Sequence, residues 1–388
     1  MPSQTVIWHK PTGKILHVLS GGYINSRSAL LPYIGDFKLP DVAFFYEDSL
    51  TDIVLTTDHI KMISLGQPPV VCSQDGTVKS FLSWAHHRRK QIMSASKILC
   101  HLEGGMGDQI LQAEAITQFY EIFPKAKLTC LVHPMYFDVV KAIPGLKNIF
   151  LSNALPPGFV PTFTCNMHTR YISDPRGGLF GKASLYGATL GLTSVHRSVT
   201  LEIPPLTLAS PEDFPLRAAL QTSPLRVGLH IRSGSGHAKS WNTEPAERLA
   251  LRFIEQDQAH VFLFGSSRDW QTVNPHTTRI TERSPWIKTA AVIGQLDLLI
   301  AIDSGPMHLA RALGTPQLTL WGGTGPRDIL GREPLPTDLI PSLPCIQGIC
   351  YSCPTGLTEC MASHSPDYVY NRGKALVLAN RATPPSQV

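Results

Sequence analysis

The sequence predicts an α/β protein made of two doubly wound parallel-sheet domains preceded by a small β-rich domain. Apolar strand-like runs alternate with helical stretches from Lys97 onwards, and the alternation restarts after a proline-rich stretch at 202–224. Such alternation is typical of parallel sheets. Residues 1–95 instead hold short β-like runs separated by Gly, Pro, Asn and Asp, which favours a separate β-rich unit.

We therefore predict domains over residues 1–95, 96–205 and 206–388. In the first, the predicted strands are TVIWH, KILHVLS, DVAFFYE, DIVLTT and PVVCS. In the second, KILCHLE, KLTCLVH and KNIFLSN read as strands, and QILQAEAITQFYEIF reads as a helix. In the third, LRVGLHI, HVFLFG, LDLLIAI and PQLTLWG read as strands, with helices over EPAERLALRFIEQ and Gly305–Leu313. The stretch 202–224 shows no periodicity and is interpreted as a linker.

Composition indicates a folded chain, since 43% of the 388 residues are hydrophobic and 16% are charged. No apolar run reaches the roughly 18–20 residues of a membrane helix, and the N-terminus lacks a secretory signal pattern, so we expect a cytoplasmic protein with at most peripheral membrane contact. The net charge of +5 is modest. Its densest cluster, 86–90, is either a solvated helix face or a contact for an anionic surface, and we expect no nucleic-acid binding.

In doubly wound sheets ligands bind where strands end and loops lead into helices. This rule predicts that the ligand site is formed by loops 104–108, 232–241, 265–269 and 303–308. The first loop contains Gly104, Gly105 and Gly107, which allow a ligand to approach the backbone closely. It lacks the dinucleotide-binding spacing and the P-loop lysine. Asp108 follows them. It is either an acid favoured in a first helical turn or a general base at the mouth of a cleft.

The second and third loops offer donors for a nucleotide. Lys239, among small residues with accessible backbone N–H groups, suits a diphosphate, although a flexible turn with a solvated lysine explains it equally well. Ser266, with the neighbouring Ser267 and Arg268, could donate to a ribose or phosphate. Ordinary helix capping is the alternative there.

The fourth loop carries the sharpest signal. Gly305 and Pro306 open a helix whose first N–H groups would point at an anion, and Ser304 adds a hydroxyl. Asp303 precedes this turn and His308 lies one turn into the helix. The alternative is an ordinary helix start capped by Ser304 or Asp303, with His308 satisfied locally.

Together these segments resemble glycosyltransferase family 9, the ADP-heptose lipopolysaccharide heptosyltransferases, in order from about Ile98 to Val369. GGMGDQILQAEAI resembles the family's opening glycine loop with its aspartate, and LRVGLHIRSGSGHAKSW resembles its strand and lysine-bearing phosphate loop. HVFLFGSS resembles the next strand and turn. The most specific piece is AAVIGQLDLLIAIDSGPMHLARALGTPQLTLWG, which is similar to the family's D-[ST]-G-P-x-H signature with its flanking strands.

The resemblance implies two facing Rossmann-like domains of the GT-B type around the active site. It also implies an ADP-heptose-like donor and an inverting displacement that requires no cofactor. Carried over, Asp108 would be the catalytic base and Lys239 would neutralise diphosphate charge. Ser304 and Gly305 would hold the diphosphate, Asp303 would contact sugar hydroxyls, and His308 would support the loop.

The sequence departs from the family at its N-terminal end, because residues 1–95 are not part of the usual pattern. Relatives that heptosylate serines of autotransporter adhesins also carry an extra β-rich N-terminal domain, so the acceptor is either lipopolysaccharide core or a protein hydroxyl. The candidates for gripping a phosphorylated core are His168, Arg170, Arg176 and Lys182.

The resemblance leaves two other functions and the assembly open. A nucleotide-sugar epimerase of the same fold and a non-catalytic nucleotide-binding or partner-binding module are alternative readings. The sequence is also compatible with an oligomer.

The eight cysteines divide into scattered and clustered sets. Cys100 and Cys130 lie in apolar strand-like runs and are predicted to be core residues. Cys345, Cys350, Cys353 and Cys360 have the spacing C-x4-C-x2-C-x6-C, which allows a tetrahedral four-sulfur site for structural zinc or iron. The alternative is four thiols in a loop.

Overall fold

A computed structural model describes residues 4–9, 14–20, 42–47, 70–72, 78–155, 157–167, 181–204, 207–234, 237–266, 268–271, 274–341 and 358–382. The strands β1 Gln4–His9, β2 Lys14–Ser20 and β3 Val42–Glu47 form an antiparallel sheet in the order β2-β1-β3. The strands β4 Val70–Cys72 and β5 Val78–Ser80 form an antiparallel pair. Four of the five predicted β-runs are thus confirmed, and DIVLTT lies outside the described residues.

A helix, α1 Phe81–Ser94, follows this β-rich part and carries the basic cluster 86–90. The Arg88 guanidinium lies 5.3 Å from the ring centroid of Phe163, and that of Arg89 lies 5.0 Å from the ring centroid of Phe123. Both aromatic rings belong to the next domain. Two of the basic side chains therefore pack on that domain, which a purely solvated helix face would not do.

The first parallel sheet has the order β8-β7-β6-β9. Its strands are β6 Ile98–Leu102, β7 Leu128–Val132, β8 Ile149–Leu151 and β9 Phe163–Met167. Its helices are α2 Met106–Ile122, α3 Phe137–Lys141 and α4 Gly181–Thr189. Cys130, Cys100 and Cys165 occupy one register across three neighbouring strands and are at most 1% exposed, which confirms the predicted core role of the first two.

The second parallel sheet has the order β12-β11-β10-β13-β14-β15. Its strands are β10 Arg226–His230, β11 His260–Phe264, β12 Thr277–Ile280, β13 Leu298–Ile302, β14 Gln317–Leu320 and β15 Asp338–Leu339. Its helices are α5 Phe214–Thr222, α6 Thr243–Asp257, α7 Trp286–Ile293, α8 Gly305–Leu313 and α9 Pro326–Leu330. The helices α10 Glu359–Ala362 and α11 Pro366–Ala382 follow.

The elements predicted for this sheet are confirmed, and one interpretation is wrong. The proposed linker 202–224 contains a 3-10 turn over Pro211–Asp213 that runs directly into α5. Pro211 and Pro215 lie in first turns, where the missing N–H of proline has no intrahelical partner to lose. Two of the five prolines in this stretch therefore mark helix starts. The predicted domain boundaries themselves stay predictions.

The two parallel-sheet domains pack through α2 of the first and α8 of the second. The Arg311 guanidinium pairs with the largely buried Glu114 carboxylate across this contact, and the Leu201 N–H donates to the Ala312 carbonyl at 2.9 Å. Burial raises the pKa of Glu114 to about 7, although Arg311 opposes the shift. This contact brings the N-terminal ends of two helices from different domains together.

No helix in the part of the chain that the structure describes combines the length and the apolar character needed to cross a membrane.

The C-terminal helix α11 completes the core of the second domain. Phe253 of α6 is fully buried, and its ring centroid lies 4.9 Å from that of Tyr370 on α11. The Tyr370 hydroxyl donates to Asp257 at 2.6 Å. The chain end thus covers apolar surface that the sheet and α6 alone would leave exposed.

We expect Phe253→Ala to lower the free energy of unfolding by about 3–5 kcal/mol, because the truncation leaves a cavity between α6 and α11. Urea denaturation followed by circular dichroism measures it. The matched control is Phe214→Ala, whose ring is 65% exposed, with an expected change within about 0.5 kcal/mol. Equal effects of the two substitutions would contradict this packing.

Candidate active site

A cleft of about 1080 Å³ lies between the two parallel-sheet domains. All four loops selected from the sequence line it. They contribute Gly105, Gly107 and Asp108; Arg232, Ser233, Gly234 and Lys239; Gly265, Ser266 and Asp269; and Asp303, Ser304, Gly305 and His308. Parallel strands of both sheets direct their carboxyl ends to this cleft, as expected for doubly wound domains.

Asp108 forms one wall of the cleft at the start of α2. Its Oδ2 accepts the backbone N–H of Gly105 at 2.9 Å, so it caps the helix start as one reading of the sequence predicted. Its Oδ1 accepts the Tyr186 hydroxyl at 2.7 Å and lies 3.4 Å from the Lys182 ammonium. The side chain is 24% exposed and lines the cleft, so the geometry is also compatible with the second reading, a general base.

Burial alone would raise the pKa of Asp108, because a carboxylate loses hydration there. Lys182, the Tyr186 hydroxyl, the Gly105 N–H and His308 together outweigh that effect and hold the pKa of Asp108 below its ordinary value. The carboxylate is therefore ionised at neutral pH, the state in which it could accept a proton.

Asp303 forms the opposite wall and is held by three partners. Its Oδ2 accepts the Lys239 ammonium at 3.0 Å and the Thr324 hydroxyl at 2.8 Å, and His308 Nε2 lies 3.7 Å from Oδ1. Burial would raise the pKa of Asp303, but the Lys239 charge and the neighbouring His308 imidazole hold it well below its usual range. Lys239 is thus in a buried ion pair at the cleft wall, and the solvated-lysine reading is wrong.

Ser304 lies at the N-cap of α8, but its side chain does not bond to the helix N–H groups. Its hydroxyl lies 2.9 Å from Nδ1 of His230 and donates to the Ile302 carbonyl at 3.1 Å. The reading of Ser304 as a helix cap is therefore wrong. The start of α8 opens onto the cleft, where the dipole and the N–H groups of its first turn favour an anion.

His308 is 3% exposed and reaches across to the first domain. A Cβ atom added at Gly107 would lie 2.5 Å from Cδ2 of His308, closer than carbon atoms approach. Only glycine at position 107 therefore allows the start of α2 and the start of α8 to approach this closely. Burial lowers the pKa of His308, although Asp303 and Asp108 oppose the shift, so a neutral imidazole is favoured.

The remaining predicted residues lie in two different situations. Ser266 lines the cleft, where its N–H donates to Asp269 at 2.7 Å and its hydroxyl accepts the Arg268 N–H at 3.3 Å. The described residues of this loop form a turn and start no helix, so the helix-capping alternative is wrong. Cys345, Cys350 and Cys353 lie outside the described residues, and Cys360 is buried. Among described side chains, no group of three His, Cys, Asp or Glu is placed to hold a metal ion.

Sequence reasoning missed the role of Lys182 as a partner of Asp108, and it missed Tyr186 and His230 altogether. The sequence predicts Lys182 only as a contact for a phosphorylated acceptor, and His168, Arg170 and Arg176 from the same set lie outside the described residues. His230 ends a strand, so the strand-end rule could have found it. Nothing in the sequence signals that α4 packs against the start of α2.

The cleft also has aromatic side chains from both domains that the sequence did not single out. Tyr136 and Trp286 line it with ring centroids 6.4 Å apart.

A two-domain α/β architecture with strand-end loops facing one cleft is the GT-B arrangement, and solved structures of this type are similar to the chain. ADP-heptose lipopolysaccharide heptosyltransferase II of E. coli matches with a TM-score of 0.56 at 15% identity, covering 74% of this chain and 99% of that one. The iron-containing dodecameric glycosyltransferase TibC of enterotoxigenic E. coli matches with a TM-score of 0.57 at 14% identity, covering 98% and 92%. At these identities the likeness shows the fold.

Sequence comparison confirms the resemblance to glycosyltransferase family 9 (heptosyltransferase), whose family model matches residues 218–337. Lipopolysaccharide heptosyltransferase 2 of Escherichia coli K12 is 35% identical over 102 residues, 24% of this chain and 29% of the relative. Lipooligosaccharide heptosyltransferase 2 of Campylobacter jejuni is 26% identical over 165 residues, 39% of this chain and 50% of the relative. The matches thus span half or less of these curated relatives.

We expect Gly107→Ala to destabilise the protein by about 1–3 kcal/mol, because the new methyl group overlaps the His308 ring where the two domains meet. Chemical denaturation measures the change. Gly105→Ala is the control, since its Cβ would have nothing nearer than 3.8 Å, and we expect a loss below about 1 kcal/mol. Equal losses would show that the approach of α2 to α8 is not tight.

The histidine His230 predicts a dependence of stability on pH. Burial lowers its pKa from 6.5 to about 4, so the unfolded chain takes up a proton at higher pH than the folded one. Stability from this residue is complete above about pH 6.5 and is lost as the pH falls towards 4. The free energy of unfolding should therefore fall by about 1–3 kcal/mol less in His230→Gln than in the wild type when the pH is lowered from 7 to 4.5. Urea denaturation across this pH range measures the difference. An unchanged slope would contradict a neutral, buried His230.

Proposed function

We propose that this protein is an inverting glycosyltransferase that moves a heptose, or a similar sugar, from an ADP-sugar to an acceptor hydroxyl. The observation that carries the proposal is the cleft itself, where the Asp108 carboxylate of one domain faces the start of α8 in the other. The family match and the heptosyltransferases among the relatives support the sugar and donor class. A further structure with a TM-score of 0.57 at 13% identity is that of TibC in complex with ADP-D-β-D-heptose.

In the proposed reaction Asp108 is the general base. The acceptor oxygen forms a bond to the anomeric carbon, its proton passes to the Asp108 carboxylate, and the bond from the anomeric carbon to the diphosphate oxygen breaks. One carboxylate is enough for a single inverting displacement, because no covalent sugar intermediate forms; the logic parallels one step of inverting glycoside hydrolysis. A base placed in this way typically contributes roughly 10²–10⁴-fold in rate.

The departing diphosphate gains negative charge, and hydrogen-bond donors and a cation of the second domain are proposed to stabilise that charge. The N–H groups at the start of α8 are proposed to hold it, with the Lys239 ammonium close by. The Ser304 hydroxyl is proposed to join them by turning its hydrogen from the Ile302 carbonyl to the diphosphate. Lys239 is paired with Asp303, so its charge is partly offset and its role includes holding Asp303 in place. Asp303 is proposed to contact sugar hydroxyls, His308 to support the loop between the two walls, and Ser266 to contact the nucleotide.

The acceptor is proposed to be a hydroxyl of lipopolysaccharide core or of a protein. The likeness to TibC covers 98% of this chain, whereas that to heptosyltransferase II covers 74%. The β-rich part of the chain therefore has a fold counterpart in TibC, which favours testing protein acceptors as well as glycans.

Metal binding, oligomer formation and cytoplasmic location stay predictions. TibC is described as iron-containing and dodecameric. Four thiols are a suitable donor set for zinc or iron, and Cys360, the member within the described residues, is buried at the start of α10. Metal analysis of the purified protein beside a Cys350→Ser, Cys353→Ser variant decides whether these cysteines hold an ion.

The decisive assay measures ADP release from ADP-heptose with and without acceptor. We expect release that depends on acceptor, and we expect Asp108→Asn to lower the transfer rate by roughly 10²–10⁴-fold while ADP binding is retained, because the amide cannot accept the proton. Isothermal titration with ADP supplies the binding control.

Three outcomes contradict the proposal in different ways. Conversion of the donor to an epimer without acceptor favours a nucleotide-sugar epimerase. Binding of ADP without any turnover favours a binding module. Full activity of Asp108→Asn would show that the base is another group.

A further inference from the structure

Lys182 of the first domain lines the cleft, and Tyr186 is buried next to Asp108. The role argued for this pair rests on the proposed function of Asp108. Lys182 and Tyr186 are four residues apart on α4, so their side chains project from one face of that helix. Both reach the same atom, Oδ1 of Asp108: the Tyr186 hydroxyl at 2.7 Å and the Lys182 ammonium at 3.4 Å. The Lys182 side chain is only 15% exposed, so the pair is well shielded from water.

The start of α4 is also fixed by the second domain. Gly181, the first residue of α4, has a φ of +60°. A Cβ there would lie 2.4 Å from the backbone nitrogen of Gly331, directly after α9. The backbone of α4 thus touches that of the second domain one residue before Lys182. The packing of the two domains therefore fixes the start of α4, and with it the position of Lys182 next to Asp108.

Asp108 needs such partners because its site is shielded. Burial favours the protonated, neutral carboxyl group, which cannot act as a base. A carboxylate has about four in-plane lone-pair positions. Gly105, Tyr186 and Lys182 take up three of them and leave a position on Oδ2 for an incoming hydroxyl. The donors also fix the plane of the carboxylate.

Other groups face Asp108 from neighbouring elements. His308 of α8, in the second domain, lowers the pKa of Asp108 electrostatically. Tyr136, in the turn before α3, is close enough for the Asp108 charge to raise the pKa of its hydroxyl group. The Lys182 charge also lowers the pKa of Asp303, which lies across the cleft. Among these groups, the Lys182 ammonium and the Tyr186 hydroxyl are the side chains that contact the Asp108 carboxylate directly.

We propose that Lys182 and Tyr186 are positioning residues that keep the Asp108 carboxylate ionised and hold its Oδ2 towards the acceptor hydroxyl. Tyr186 fixes the orientation through a short hydrogen bond, and Lys182 supplies the charge. Lys182 therefore serves the base, and it is not a grip for the diphosphate or for a phosphorylated acceptor.

The test compares Lys182→Met and Tyr186→Phe with two matched controls from the same domain. Lys125→Met removes an exposed lysine beyond the far end of α2, about 20 Å along the helix from Asp108. Tyr120→Phe removes a hydroxyl that donates to the Leu128 carbonyl and lines no part of the cleft. The readouts are the pH profile of kcat/KM, kcat at neutral pH and the Kd for ADP.

We expect the acid limb of the Lys182→Met profile to move to higher pH by about one unit, because a cation close to a carboxylate lowers its pKa by roughly that much or more. Tyr186→Phe should lower kcat about 10-fold through loss of orientation and move the acid limb in the same direction. The Kd for ADP should change less than about twofold in both, and the controls should match the wild type. An unmoved acid limb, or a Kd for ADP weakened tenfold by Lys182→Met, would overturn the proposal.

A second readout does not depend on transferase activity. The carboxyl group of Asp108 is titrated by NMR in protein labelled with ¹³C at aspartate Cγ, with its signal assigned by Asp108→Asn. We expect a higher pKa of Asp108 in Lys182→Met and Tyr186→Phe than in the wild type and the controls. If the wild type transfers no sugar, the proposed function fails and this titration alone decides. Unchanged titration curves would overturn the role of Lys182 and Tyr186.

Discussion

The close packing of α2 against α8 is the constraint on which the rest of the site depends. It brings the starts of two helices from different domains together at Gly107 and His308, where a single added methyl group would clash. Helix starts carry accessible N–H groups and a positive dipole end, and anionic groups are favoured there. The first helix start holds its own carboxylate, Asp108, whereas the start of the second opens onto the cleft. This asymmetry is consistent with the base proposed at the first helix start and with the anion site proposed at the second.

The electrostatics of the two walls follow from this arrangement. Asp108 and Asp303 are both shielded from water, and each is kept ionised by donors and a lysine. For Asp303 this lysine is Lys239 of the same domain, and the buried ion pair between them fixes the position of the 303–308 loop. For Asp108 the lysine comes from α4, whose start rests on the second domain. Each wall of the cleft thus presents an ionised carboxylate, which is consistent with the roles proposed for Asp303 in sugar binding and for Asp108 in proton transfer.

Local sequence patterns were enough to predict much of the fold and the place of the site. Alternating apolar runs and helical stretches identify the elements of both parallel sheets, and the strand-end rule selects four loops that meet in one cleft. The interpretation of the proline-rich stretch 202–224 as a linker was wrong, because proline is compatible with the first turn of a helix as well as with a linker.

The partners within the site were not accessible from the sequence. Whether Lys182 points to an acceptor or to Asp108, and whether Ser304 caps its own helix or bonds to His230, depends on which elements touch in space. Those contacts join residues 74 positions apart in both cases. No local propensity encodes them, since they arise from the packing of one element on another.

The central claim is that the sugar donor lies between the Asp108 wall and the start of α8. A crystal structure of the protein with a non-hydrolysable ADP-heptose analogue tests it most directly. We expect the diphosphate to contact the N–H groups at Gly305 and Met307 and the Ser304 hydroxyl, with the anomeric carbon facing Asp108. The gap between them should admit one acceptor hydroxyl that approaches the anomeric carbon to about 3–3.5 Å. A diphosphate bound away from α8, or an anomeric carbon facing away from Asp108, would contradict the account.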